Sequence, residues 1–167
     1  MTASIRIEPL GSQHDRKAFS CGIEPLDRYF RELATQDIKR RVSNCFVGIG
    51  QWGEIAGYYT FAATSLPLGD LPPEQAKKFP RYPLVPAGLI GRLAVATASQ
   101  GRRIGGALIM DAVLRAAPAD PAIFAIVIDA KDDRAANFYE HLGFKLLGSR
   151  PRTLFVSIAT ALQAFDG

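Results

Sequence analysis

The chain has 167 residues, 48% of them hydrophobic and 22% charged, a length that one core can serve and a composition that excludes the low-hydrophobicity signature of disorder. No apolar run approaches the roughly 20 residues that span a bilayer, and the opening Met1-Thr2-Ala3-Ser4-Ile5-Arg6 lacks the apolar segment of a signal peptide, so a single domain (1–167), cytoplasmic and away from membranes, is expected. The net charge of +4, from 20 Lys and Arg against 16 Asp and Glu, fits polyanionic partners, and an ordinary solvated surface as well.

Residues 4–10 read as a first strand followed by the turn-prone Gly11-Ser12. Over 26–38, Leu26, Tyr29, Phe30, Leu33, Ala34 and Ile38 recur at helical spacing and predict one amphipathic helix. It ends in Lys39-Arg40-Arg41, cations that suit the negative end of the helix dipole and also a nucleic-acid backbone. The β-rich runs 45–50 and 55–62, parted by Trp52-Gly53-Glu54, predict an antiparallel hairpin. Proline and glycine are dense from 67 to 86, which predicts a connection or substrate-side loop with a short helix over 74–79.

A buried strand over 89–96, a helix over 104–116 with Ile104, Ala107, Leu108 and Ala112 on one side, and a second buried strand over 123–128 make a crossover with parallel strands. A helix over 132–141 ended by Gly143, a last strand over 153–158 and a short closing helix complete the chain. The class expected is α+β, with a mixed, mostly antiparallel central sheet flanked by helices. Cys21 and Cys45 lie far apart, and His14 and His141 form no metal-ligand pair, so buried thiols and no metal site are expected.

Between the crossover strand and its helix lies Ser99-Gln100-Gly101-Arg102-Arg103-Ile104-Gly105-Gly106-Ala107-Leu108. Backbone N–H groups at a helix N-terminus, glycines that permit close approach and two arginines make an anion site suited to a pyrophosphate. The dinucleotide spacing G-x-G-x-x-G is absent; glycine serving the turn geometry alone is the other reading.

The stretch Arg92-Leu93-Ala94-Val95 followed by Gln100-Gly101-Arg102-Arg103-Ile104-Gly105-Gly106-Ala107-Leu108 resembles the acetyl-CoA-binding motif of the GNAT superfamily, Q/R-x-x-G-x-G/A. Read from Gln100, Arg103 stands where the first glycine is usual; read from Arg102, Gly105 and Ala107 fit the pattern. Downstream, Ala135-Ala136-Asn137-Phe138-Tyr139-Glu140-His141-Leu142-Gly143-Phe144 is similar to the family's segment A-x-x-F-Y-x-x-x-G-F. The resemblance implies the GNAT fold with a β-α-β acetyl-CoA-binding core. It implies acetyl-CoA as cofactor, held by Leu93, Ala94, Val95, Gln100, Gly101, Arg102, Arg103, Ile104, Gly105, Gly106, Ala107, Asn137 and Tyr139. Tyr139 is implied as the general acid that protonates the departing thiolate, and backbone amides near Val95 as stabilisers of the carbonyl oxygen.

The resemblance narrows where Phe19-Ser20-Cys21-Gly22-Ile23-Glu24-Pro25-Leu26-Asp27-Arg28-Tyr29-Phe30, Ala34-Thr35-Gln36-Asp37, Tyr58, Pro80-Arg81-Tyr82-Pro83 and Val127-Ile128-Asp129-Ala130 occur. These resemble the GNAT toxins of bacterial toxin–antitoxin pairs, which acetylate the α-amine of aminoacyl-tRNA and are silenced by a ribbon-helix-helix antitoxin. Aminoacyl-tRNA as substrate, such an antitoxin and a homodimer are therefore expected. The basic surface for tRNA phosphates would comprise Lys39, Arg40, Arg41, Lys77, Lys78, Arg81, Arg92, Arg150 and Arg152. Two other readings stand beside it: a GNAT acetyltransferase of a small amine or a protein amine, and a catalytically inactive domain that only binds its partner or nucleic acid, motivated by Arg103.

Overall fold

The computed structural model describes residues 4–80, 83–148 and 150–166. Its strands are β1 (Arg6–Pro9), β2 (Asn44–Ile49), β3 (Ile55–Pro67), β4 (Leu84–Val95), β5 (Ala125–Asp129), β6 (Lys145–Leu146) and β7 (Thr153–Ser157). The α-helices are α1 (Glu24–Arg28), α2 (Ala34–Lys39), α3 (Pro73–Ala76), α4 (Ile104–Ala116), α5 (Asp133–His141) and α6 (Ile158–Asp166). The strands hydrogen-bond in the order β1-β2-β3-β4-β5-β7-β6. β4 and β5, joined through α4, run parallel with Ala87 opposite Ala125 and Ile90 opposite Ile128. The pairs β1 with β2, β2 with β3, β5 with β7 and β6 with β7 are antiparallel. The sheet is therefore mixed and mostly antiparallel, as the sequence predicts. Two compact units divide the chain, one of Met1–Ala62 with Gly91–Asp111 and the other of Ala63–Ile90 with Ala112–Gly167.

In the first unit, Phe19, Tyr29, Phe30, Ala34, Val47, Ile49, Tyr58 and Ala94 form the buried cluster. Phe30 stacks on Tyr58 with centroids 4.4 Å apart and planes 8° from parallel, and Phe19 meets both rings edge-on. The polar atoms in this apolar setting have partners, as burial demands. The Tyr58 hydroxyl donates to the Leu26 carbonyl at 2.8 Å, and the buried Asp27 carboxylate accepts the Cys21 N–H at 2.8 Å. Between α1 and α2 the helix opens into a π turn, Tyr29–Leu33, with the Ala34 N–H reaching the Tyr29 carbonyl. The helical run thus starts two residues before the expected 26 and ends at Lys39. Pro25 in the first turn needs no N–H donor there and has its φ preset for a helix.

In the second unit Leu66, Leu71, Val85, Ala87, Ala125, Val127, Leu147 and Phe155 form the core, with Phe79 edge-on to Phe124 at 4.7 Å. In the Pro/Gly-dense connection a 3₁₀ turn at Leu68–Asp70 precedes the four-residue α3, which is shorter than the helix expected over 74–79. β4 begins at Leu84, earlier than expected, because residues 87–90 pair with β5. The two-residue β6 carries no alternating pattern, since both of its residues are exposed, and it escapes a reading based on periodicity. Among the described residues no helix is long and apolar enough to cross a membrane.

Candidate active site

β4 ends at Val95, and the backbone then turns through Thr97–Ser99, one turn of 3₁₀-helix. The turn is tied down by the Ala96 N–H on the Ala56 carbonyl (2.8 Å) and the Thr97 N–H on the Ser20 carbonyl (2.8 Å). The Gln100 amide Nε2 donates to the carbonyls of Val95 (3.3 Å) and Cys21 (3.4 Å), so this side chain braces the loop from behind. Gly101 (φ 83°) and Arg103 (φ 62°) then take left-handed backbone conformations on either side of Arg102. Glycine adopts that region freely, and arginine only against a steric cost. Arg103 is also the position that a reading from Gln100 assigns to the motif's first glycine.

The Arg103 carbonyl accepts the Ala107 N–H at 3.2 Å, the first hydrogen bond of α4. The amides of Ile104, Gly105 and Gly106 therefore precede every intrahelical bond and point out of the helix end. A Cβ placed on Gly101 or Gly106 would meet nothing within 4 Å, so a ligand has open access there. Arg102 and Arg103 are exposed beside it, whereas Ile104 is buried and anchors the turn. This end of α4 lies close on the sheet because Gly57 has no side chain: a Cβ there would stand 2.7 Å from the Ala94 carbonyl oxygen and 3.1 Å from Leu108. Leu93 and Val95 are half-buried at the strand end, with Ala94 buried between them.

In the second unit Tyr139 sits on α5, which Asp132 caps by accepting the Ala135 N–H at 2.8 Å. Its ring packs near Phe138 (5.5 Å between centroids) and Phe144 (6.0 Å) and is 6% exposed. Burial pushes the phenol up to about 12, with the Asp132 carboxylate adding to the rise. The hydroxyl has no hydrogen-bond partner among the described residues. Asn137 is exposed on the same helix. Cys21 and Cys45 are both buried, and burial raises the Cys45 thiol to about 12 against the nearby charges of Arg16 and Arg92. Such a thiol is not a nucleophile at neutral pH.

The basic residues fall into different settings. Lys39, Arg40 and Arg41 are exposed at and beyond the end of α2, as are Lys77 and Lys78 after α3. Arg150 is bound to Asp70 at 3.2 Å and Arg152 to Asp133 at 3.4 Å. Arg81 lies outside the described residues. Arg92 is half-buried on β4, its guanidinium carbon 3.6 Å over the Tyr29 ring. The Tyr29 hydroxyl in turn donates to Asp37 at 2.7 Å. Helical spacing predicts Tyr29 as a packing residue, and the fold shows that its ring faces Arg92.

Residues 43–146 match the model of the acetyltransferase (GNAT) domain. The chain belongs to the GNAT acetyltransferase family. Among GNAT relatives it is 34% identical to a tRNA-acetylating toxin of Mycobacterium tuberculosis over 149 residues, 88% of each chain. It is 31% identical over 165 residues to a probable toxin TacT of Sinorhizobium fredii, covering 92% of this chain and 91% of that one. Among solved GNAT structures, AtaT complexed with acetyl-methionyl-tRNAfMet superposes with a TM-score of 0.87 at 25% identity, over 97% of this chain and 99% of the other. A tyrosine-to-phenylalanine mutant of KacT gives a TM-score of 0.83 at 25% identity, over 95% and 98% of the two chains.

Proposed function

We propose that this GNAT protein is a toxin that transfers acetyl from acetyl-CoA to the α-amine of an aminoacyl-tRNA and so blocks translation. The observation that carries the reading is the 34% identity, over 88% of both chains, to a tRNA-acetylating toxin. The likeness to AtaT, whose structure holds acetyl-methionyl-tRNAfMet, supports it. A ribbon-helix-helix antitoxin, a homodimer and a cytoplasmic location belong to the same reading.

The turn at α4 fits the donor. Three outward amides, two left-handed residues and two exposed arginines make a cradle for the two phosphates of a pyrophosphate. Gly101, Arg102, Arg103, Ile104, Gly105 and Gly106 line it. Gln100 shapes it, and Ala107, whose amide is already used within the helix, contributes only its small side chain. Leu93, Ala94 and Val95 offer the β4 edge to the pantetheine arm; for Asn137, exposed on α5, the same role rests on the motif resemblance. Bound acetyl-CoA supplies the activated acetyl group as a thioester.

An α-amine has a pKa near 8, so an uncharged fraction is present at neutral pH and attacks the carbonyl carbon directly. Backbone amides near Val95 would meet the negative charge on the carbonyl oxygen. Tyr139 would hold a proton at the phenolic oxygen for the departing thiolate, and the proton shed by the attacking amine would restore the phenol. A phenol raised to about 12 is protonated at every working pH and, among the described residues, has no acceptor competing for the proton.

Labelled acetyl should pass from acetyl-CoA to aminoacyl-tRNA with the purified protein, and expression should arrest growth. Tyr139→Phe should keep acetyl-CoA binding and slow turnover by about 10²-fold or more. A GNAT acetyltransferase of small or protein amines is the second reading, favoured by the engagement of Arg150 and Arg152 with carboxylates. Rapid acetylation of polyamines or peptides, with aminoacyl-tRNA untouched and growth normal, would establish it instead.

A further inference from the structure

The arginines of the first unit fall into different settings. Arg6, Arg28 and Arg31 each meet a carboxylate, at 2.6, 2.9 and 3.8 Å. Arg92 is half-buried and, among the described residues, forms no ion pair. A partly desolvated cation without a counter-charge is costly to keep. An apolar residue on β4 would pack against Tyr29 at less cost, so packing alone does not account for an arginine here.

Its geometry is fixed from three sides. The Arg92 N–H donates to the Oγ1 of buried Thr60 at 3.0 Å, which pins the backbone. The guanidinium lies 3.6 Å over the Tyr29 ring. Tyr29 is 4% exposed and its hydroxyl is held by Asp37 at 2.7 Å, so the ring has no freedom to swing away. A guanidinium stacked on a ring keeps its N–H donors in its own plane, free for a bidentate anion. The π turn at Tyr29–Leu33 leaves consecutive Tyr29 and Phe30 both buried, and such insertions recur at functional positions. Arg16 adds positive potential: Arg16 and Arg92 both favour the anion of the same buried Cys45, and Arg16 spends one N–H on the Phe30 carbonyl at 2.7 Å.

We infer that Asp37 and Tyr29 hold the Arg92 guanidinium as a preformed receptor for a phosphodiester of the acceptor tRNA, which makes Tyr29 and Asp37 positioning residues of the acceptor site. The inference rests on aminoacyl-tRNA being the acceptor. Arg92 touches the nucleic acid; Tyr29 and Asp37 act through it.

The test compares aminoacyl-tRNA with aminoacyl-adenosine, which carries the same amine and no phosphodiester. Arg92→Ala should raise KM for aminoacyl-tRNA about tenfold, the loss of a charge-assisted contact, and leave KM for aminoacyl-adenosine and for acetyl-CoA unchanged. The slope of log affinity against log salt for tRNA should fall by about one. Tyr29→Leu should reproduce both effects, Tyr29→Phe should give a smaller rise, and Asp37→Asn, which still accepts the hydroxyl, should restore near wild-type values. Arg92→Lys keeps the charge without the planar fork and should still raise KM for aminoacyl-tRNA, so the inference stays testable if Tyr29→Leu fails to fold. Equal KM changes for both acceptors would overturn it, as would a Tyr29→Leu protein that loses acetyl-CoA affinity and kcat with an unaltered salt slope. A wild-type protein that leaves aminoacyl-tRNA untouched would refute the acceptor assignment itself; an active wild type with an unaffected Arg92→Ala would refute only the role of Arg92.

Discussion

At Arg103 two demands meet in one residue. A left-handed backbone costs a residue with a Cβ about 1–2 kcal/mol, of which glycine forfeits roughly 0.5–1 as chain entropy. Arg103→Gly should therefore stabilise the protein by about 0.5–1 kcal/mol, a rise in Tm of ~2–3 °C. The same change removes an exposed cation from the proposed phosphate cradle and should weaken acetyl-CoA binding about two- to fivefold. Thermal denaturation and calorimetric titration check the pair; affinity that holds or improves would show that the arginine is not a phosphate contact. Tyr139 sets a pH expectation of a different kind. With the phenol raised to about 12, kcat/KM should show no fall attributable to this residue between pH 8 and about 10.5. A fall in that interval that Tyr139→Phe abolishes would contradict it.

The elements around the cradle depend on close approach. Gly57 lies on β3 opposite Gly48 of β2, and Leu108 of α4 comes within 3.1 Å of where a Gly57 Cβ would be. A backbone carbonyl 2.7 Å away yields less readily than a side-chain tip. Gly57→Ala should thus cost about 1–3 kcal/mol and lift the first turn of α4, lowering acetyl-CoA affinity as well as Tm. Gly106→Ala, whose Cβ meets open space, is the control and should leave stability equal or slightly higher through helix propensity. Unchanged stability in Gly57→Ala would mean that the sheet and helix relax apart there at no cost. Most of these elements are legible in the sequence. The crossover helix occupies 104–116 as its apolar side predicts, and the hairpin turns at Trp52-Gly53-Glu54, where Gly53 has φ 83°. The misses share a cause: β6 is too short and too exposed for a period, and the start of β4 is set by a partner strand rather than by its own pattern.

For the whole molecule, alkaline pH should be the weak side. Burial raises Cys45 from 9.0 to about 12 and Tyr139 from 10.0 to about 12, and it raises Tyr29 and Tyr58 above the ordinary tyrosine value as well. A group with a raised folded pKa holds its proton more tightly in the folded state. Its contribution is complete below the unfolded pKa and is lost as pH climbs towards the folded one. The urea midpoint should therefore fall progressively from about pH 9 towards pH 12; a midpoint that is flat to pH 11 would contradict the burial of these groups. By itself the sequence determined the fold class, the crossover, the glycine-rich turn that opens α4 and the place of Tyr139 on its helix. Local periodicity, glycine placement and residue order within a motif are all properties of neighbouring positions. Only the tertiary structure decided that Arg103 takes the glycine-like backbone, that Gln100 braces the loop, that Arg150 and Arg152 are paired with acids, and that Arg92 lies on a tyrosine 63 positions away. Those facts depend on which distant groups share a space, and burial, pairing and stacking energies act through space rather than along the chain.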